Sequence, residues 1–170
     1  RIESLSIVPM LAMGNAMSTF TAQNMGAGKI NRVKEGYRMC YVIVLTAGAV
    51  LCVMYQLAGG AFVSLFLDSG SSEAYSVGLS YVKFLSFFYS FIGLKASTDG
   101  LLRGAGDVTA FTVANLVNLA IRVSVTNLFA PIYGIQVAWM AVPLGWAANY
   151  VISFGWYLTG KWKKVRVIKK

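Results

Sequence analysis

Histidine is absent from the 170 residues, cysteine occurs twice, and aspartate and glutamate together number six. Without histidine and with so few thiols, no metal centre can be assembled from imidazole and thiolate ligands. Cys40 and Cys52 fall in one apolar run; on a single helix they stand about 18 Å apart, too far for a disulfide. No nucleophile–base pair can be drawn from this inventory, which points away from an enzyme. Charged residues make up 12% of the chain, about half of what a soluble domain needs to solvate its surface. The chain opens on Arg1 in an apolar context. No charged n-region or signal peptide precedes it, so it reads as a piece of a longer protein.

What is abundant is apolar residues: 57% of the total, with a mean hydropathy of +0.64. An oversized soluble core of this kind fails on surface-to-volume grounds. The composition predicts an all-α integral membrane protein with about five transmembrane helices. The spans are expected at 2–22, 37–67, 77–102, 108–130 and 135–158, followed by a basic tail at 161–170. Pro9 is expected to kink the first span or loosen one of its hydrogen bonds. The pair Gly59 and Gly60 is expected to break the overlong second one.

Fifteen basic residues give a net charge of +9, and six of them lie in the last ten positions. Four more are Lys29, Arg32, Lys34 and Arg38. Basic runs beside apolar stretches are topology signals before they are phosphate-binding patches, so nucleic acid is not expected as a partner. In order, the connections are basic (29–38), acidic (68–76, with Asp68 and Glu73), mixed (103–107), uncharged (131–134) and strongly basic (161–170). The basic ones fall at every second position, as they must if Lys and Arg mark the cytoplasmic side. Trp139, Trp156 and Trp162, near the two ends of the last span, fit interfacial belts.

Charge inside a span is the sharpest functional signal, since each charged residue costs about 2.5–3.5 kcal/mol at the bilayer centre on the insertion scale. Arg122 falls well inside the fourth run, on a helical stripe with Asn115, Asn118 and Thr126. The stripe reads either as the wall of a water-filled path or as hydrogen-bonding glue between helices. Lys95, Asp99 and Arg103 are spaced by four, so Asp99 can pair with either base. That set reads as a cation or proton site, or as a neutralised pair near the interface. Lys83 is expected to snorkel. Met10, Met13 and Met17 share a face of the first span beside Asn15, Ser18 and Thr19, suiting either a promiscuous site or an ordinary core. Gly14 and Ser18 form a small-xxx-small pair for close helix contact.

Two glycine motifs imitate nucleotide-binding signatures and fail. Gly26-Ala27-Gly28-Lys29 lacks the first glycine of a P-loop and has Ile30 where Ser or Thr is needed. Gly104-Ala105-Gly106 lacks the later glycine of a dinucleotide fingerprint, and no strand precedes it. Both read as turns between membrane helices.

The same turns carry a resemblance. Gln23-Asn24-Met25-Gly26-Ala27-Gly28-Lys29, with Asn31-Arg32-Val33, resembles the GQNxGAGKxxR segment of multidrug and toxic compound extrusion (MATE) transporters. Leu101-Leu102-Arg103-Gly104-Ala105-Gly106-Asp107 resembles their LRGAGD segment. The resemblance implies two six-helix lobes related by a pseudo-twofold, with residues 1–160 supplying five spans of the carboxy-terminal lobe. It also implies an antiporter that exports organic, often cationic, compounds in exchange for H⁺ or Na⁺ by alternating access. A multi-pass plasma-membrane location, a cytoplasmic carboxy terminus, an amino-terminal lobe as partner and contact with membrane lipids follow from it.

No cofactor beyond the coupling ion is expected. Some sodium-coupled members carry a carboxylate about three turns before the motif arginine, where this chain has Phe91-Ile92-Gly93. Asp99 lies too near Arg103 to be that position, so the coupling site is expected largely outside this segment. Arg122 matches a basic residue common in the family's eleventh span, although Val123-Ser124 replaces the Ile-Pro that often follows. The alternatives are a lipid-linked oligosaccharide flippase of the same superfamily and a non-transporting membrane scaffold.

Overall fold

Backbone polar groups in lipid must be satisfied within their own segment, and the apolar runs accordingly form helices. The computed structural model describes residues 1–67, 73–134 and 136–164. The helices are α1 (Ile2–Gly26), α2 (Ile30–Ser64), α3 (Glu73–Ser86), α4 (Tyr89–Gly104), α5 (Val108–Tyr133) and α6 (Gln136–Thr159), closed by a 3-10 turn at Lys161–Lys164. Among the described residues four helices are long and apolar enough to cross a membrane, and α3 with α4, bent by 52° at their junction, counts as a fifth if the two make one span. Asp68, Ile135 and tail positions 165–170 lie outside the described residues.

Two expectations about the spans are corrected. Helix α1 carries Pro9 within its length and is continuous across it. Gly59 and Gly60 do not break α2, which runs unbroken for 35 residues and absorbs most of the basic segment 29–38 into its first turns. These glycines serve packing against α3 instead. A Cβ on Gly59 would lie 3.3 Å from Leu79 and one on Gly60 3.1 Å from the Tyr75 hydroxyl, which donates to the Gly60 carbonyl at 3.2 Å. The third run is the one that breaks, between Ser86 and Tyr89, with neither Gly nor Pro at the bend. Side chains tie the last turn of α3 to α2 beside the bend: Gln56 Nε2 donates to the Lys83 carbonyl (2.9 Å) and to Ser86 Oγ (3.0 Å), and Ser86 Oγ donates to the Lys83 carbonyl (2.7 Å).

The two glycine turns are the same device used twice. Gly28 (φ 70°) and Gly106 (φ 83°) take the left-handed conformation that L side chains resist. The Gly28 and Lys29 amides donate back to the Met25 and Asn24 carbonyls at 3.0 and 2.8 Å. The Gly106 and Asp107 amides donate to Arg103 and Leu102 at 3.1 and 2.9 Å. Both are Schellman stops. In the second, Asp107 also caps α5 by accepting from the Ala110 amide.

Helices α1 and α4 run parallel and touch backbone to backbone. The Gly14 carbonyl faces Gly100 and the Ser18 carbonyl faces Gly104, where an added Cβ would lie 2.1 and 2.2 Å away. The Gly14–Ser18 pair therefore does mediate close contact, against Ala96, Gly100 and Gly104, a matching four-residue repeat on α4. Parallel α1 and α4 put both glycine turns at one end of the bundle. Trp156 Nε1 donating to Asp107 Oδ2 at 2.8 Å brings the carboxyl end of α6 to that same end. Helix α4 is central, with ten of its 16 residues buried. Leu5, Val42, Val50, Leu57, Leu116 and Val151 instead face outward, as a lipid-contacting surface would.

Candidate polar cavity

The charges of the third run meet inside the bundle. Asp99, only 4% exposed, pairs with Lys95 at 3.1 Å, one turn back on α4. Of the two partners open to it by spacing, it takes Lys95. Its Oδ1 accepts from Ser153 Oγ of α6 at 2.7 Å, and its Oδ2 from Asn115 Nδ2 of α5 at 3.3 Å. Lys95 Nζ closes the ring by donating to Asn115 Oδ1 at 3.0 Å. Asn115 is itself held by donating to the Phe111 carbonyl at 2.8 Å. A buried ion pair survives desolvation only when its remaining lone pairs and protons are met, and three helices supply those partners here. The pair is neutralised and buried within the bundle.

Arg103 turns away from Asp99 toward α1. It donates to Asn15 Oδ1 at 2.7 Å and to Ser18 Oγ at 3.4 Å, with its guanidinium over the Phe111 ring at 5.6 Å. Between these groups lies a cavity of about 170 Å³ lined by Asn15, Lys95, Asp99, Arg103, Phe111 and Asn115, with Leu11 and small residues of α1 and α4. Six of the residues singled out in the sequence therefore converge: Asn15, Ser18, Lys95, Asp99, Arg103 and Asn115.

Others do not join them. Met13 lines a separate apolar groove of about 210 Å³ between α1 and α2, with Met17, Phe20, Met39 and Cys40. Met10 and Met17 are buried in the core. Asn118 and Arg122 face α6 around Gly145. A Cβ there would lie 2.3 Å from Asn118 Oδ1 and 2.9 Å from Arg122 Cγ, and Arg122 is exposed on the chain. Among the motif residues, Gln23 is exposed and Asn24 buried. The Asn24 amide donates to the Phe20 carbonyl at 2.8 Å, and both residues belong to the first helix stop. Gly26 has no neighbour that a Cβ would meet within 4 Å, unlike its counterpart Gly104. Lys83 lays its stem along Gly59.

The tryptophans at the two ends of α6 pack against tyrosines. Trp162 is completely buried, because its ring stacks on Tyr157 at 5.6 Å and its N–H donates to the Tyr157 carbonyl. Trp139 packs on Tyr81 at 5.4 Å.

Several participants were not singled out in the sequence. Ser153 and fully buried Asn149 stand four apart on an apolar helix, the same signal that marks Asn115 and Asn118. On another face of α4, Thr98 Oγ1 meets the hydroxyls of Tyr37 (2.7 Å) and Tyr41 (2.9 Å). Tyr41 also donates to Tyr150 at 3.3 Å. Tyr37 and Tyr41, one turn apart on α2, were the available clue.

A multi-pass helical membrane bundle with a charged, hydrogen-bonded interior is the class these features define. The MatE family model matches residues 1–142, and the chain belongs to that family. It is 28% identical to the probable multidrug resistance protein YpnP of Bacillus subtilis (strain 168), over 98% of this chain and 37% of that protein. It is 22% identical to the probable multidrug resistance protein YoeA of the same organism, over 99% of this chain and 36% of the relative. It is 21% identical to the probable multidrug resistance protein NorM of Thermotoga maritima, over 99% of this chain and 37% of the relative. The chain thus spans little more than a third of each relative's length. Its fold matches an inward-facing multidrug resistance MATE family transporter of the MOP superfamily with a TM-score of 0.78, at 17% identity, covering 97% of this chain and 36% of that one.

Proposed function

We propose that the chain is part of a multidrug efflux antiporter that exports organic, often cationic, compounds in exchange for H⁺ or Na⁺ by alternating access. In this reading residues 1–160 form most of one lobe, and an amino-terminal lobe of the same protein completes the substrate path across the plasma membrane. The observation that carries it is the Lys95–Asp99–Asn115–Ser153 ring beside a polar cleft that opens at Asn15 and Arg103. Ionisable residues inside a membrane bundle are costly and mark pathways for polar cargo. Asp99 already has an ammonium and two neutral donors, so it suits a charge-balanced wall of the path better than a vacant ion site. The coupling ion then loads elsewhere, at a carboxylate of the other lobe. Arg122, exposed on this chain yet well inside a span, faces that lobe or a water-filled space. The bundle end bearing the glycine turns and the α6 terminus is the cytoplasmic one on the positive-inside rule.

The test is dye efflux by the full-length protein in proteoliposomes under a proton or a sodium gradient. Gradient-dependent export of cationic dyes is expected. Failure across a broad panel with either ion, by protein that is folded and correctly inserted, would refute the reading. A non-transporting scaffold predicts that Asn118→Ala and Arg122→Ala alter assembly alone; the antiporter reading predicts that transport changes as well.

A further inference from the structure

Two basic clusters more than 120 residues apart in the chain become neighbours through an aromatic stack. The chain leaves α6 at Gly160, whose φ of 69° turns it back. Trp162 then lies fully buried, stacked on Tyr157 at 5.6 Å with 13° between the rings. Tyr157 packs in turn on Tyr37 of α2 at 4.7 Å. This pins the start of the tail to the turn of α2 that carries Lys34 and Arg38, both exposed. Lys161 Nζ lies over the Trp156 ring at 5.4 Å and Lys163 Nζ over the Trp162 ring at 5.7 Å. Lys29 and Arg32, also exposed, extend the patch along the first turn of α2. Among the described residues two carboxylates lie at this end. Asp107 is committed to the α5 cap and the Trp156 N–H, which leaves exposed Glu35 against six exposed cations.

We propose that this patch is a binding site for anionic phospholipid headgroups, with Trp162 as the clamp that joins its two halves. The chemistry fits at both ends of a lipid. The ammonium and guanidinium groups meet a phosphate that the bilayer holds at this level, and Trp156 supplies the amphipathic ring favoured at the headgroup boundary. A soluble anion would gain the charge contacts alone; a lipid also gains the apolar surface of α2 that continues the Lys34–Arg38 side, where Val42 is exposed. The clamp adds a structural consequence, since lipid held by residues of both α2 and the tail ties α6 to α2.

The experiment is a titration of full-length protein in neutral detergent with phosphatidylglycerol, with phosphatidylcholine and with soluble glycerol phosphate, following association by native mass spectrometry. Preferential binding of phosphatidylglycerol is expected. The double variant Lys161→Gln/Lys163→Gln removes two exposed charges, each worth roughly fivefold in association, so a loss of about 25-fold is expected, with phosphatidylcholine unchanged. Trp162→Ala, which keeps every charge, is expected to weaken phosphatidylglycerol binding as well. Equal phosphatidylglycerol affinity in wild type and the lysine variant overturns the proposal. So does glycerol phosphate binding as tightly as the lipid, which would make this a site for free phosphate. If Trp162→Ala does not fold, Trp162→Phe, which preserves a stacking ring, should bind like wild type, and weakened binding by that variant would count against the clamp. Dye transport is read in parallel. No dye transport by the wild type, with phosphatidylglycerol binding intact, would fault the functional assignment and leave this one standing.

Discussion

The carbonyl oxygen of Gly14 sits so close to Gly100 that a Cβ on the latter would be 2.1 Å away. The contact is backbone against backbone, so no flexible side chain can yield. Gly100→Ala should therefore separate α1 from α4 and destabilise the full-length protein by about 1–3 kcal/mol, the usual cost of overpacking. Gly155, with open space around its Cβ position, provides the control: Gly155→Ala should be neutral or slightly stabilising, since alanine favours the helix. Thermal unfolding in detergent compares the two. An equal response at both positions would mean that the parallel contact does not support the bundle.

Asp107 joins three elements at once. Its Oδ1 caps α5 through the Ala110 amide at 3.3 Å, its backbone amide completes the second helix stop, and its Oδ2 accepts from Trp156. Asp107→Ala should cost about 1 kcal/mol for the cap and a further ~1–3 kcal/mol for the indole N–H left without its partner. Asp107→Asn keeps an acceptor oxygen and should retain most of the cap. Hydrogen exchange at the first turn of α5 reports the cap, and Trp156 fluorescence reports the indole. Faster exchange is expected in the alanine variant and not in the asparagine one.

The spans and turns were legible because hydropathy and glycine placement are local properties. Gly28 and Gly106 stand where a left-handed residue is required, and both were recognised as turns. The misreadings have physical causes. The Gly59–Gly60 pair is a helix breaker by propensity, yet packing overrode propensity there, both residues being small to admit α3. The real bend after Ser86 is stabilised by Gln56, 30 residues away, which no local pattern could disclose. The polar site was half legible. Spacing by four identified Lys95 as a partner for Asp99, but Ser153 reaches it from 54 residues away. The choice of Arg103 for Asn15 rather than Asp99 depends on α1 and α4 being parallel. Nothing in the sequence separated Met13, on the far side of α1, from Asn15.

Gln56 is the side chain that holds the bent span. It donates to the Lys83 carbonyl and to Ser86 Oγ in the last turn of α3, beside the bend. Gln56→Leu fills a similar volume but leaves a carbonyl with one donor fewer in an apolar setting, a loss of about 1–3 kcal/mol. Gln56→Glu loses the donating amide while staying polar, and should not restore stability. Spin labels on α3 and on α4 should report a wider spread of inter-helix distances in the leucine variant. An unchanged distribution would show that the bend is held by the packing of Leu85 and Tyr89 alone.

Lys95 and Asp99 provide the most discriminating test, because a buried pair and its single members behave in opposite ways. Lys95→Met leaves the Asp99 carboxylate buried with two neutral donors and no counter-charge. Breaking a buried pair on one side costs about 3–5 kcal/mol. Asp99→Leu strands the ammonium instead, with only the Asn115 carbonyl as partner, and should cost a similar amount. The double variant removes both charges, so it should recover most of the stability and can equal the wild type. Coupling between the two positions, measured as a double-mutant cycle on thermal unfolding, should then be large. Transport separates structure from function in the same four proteins. If the pair only holds helices together, the recovered double variant exports dye as the wild type does. If the charged ring is part of the substrate path, the double variant is stable and still fails to export, which is the outcome the cavity beside Asp99 predicts.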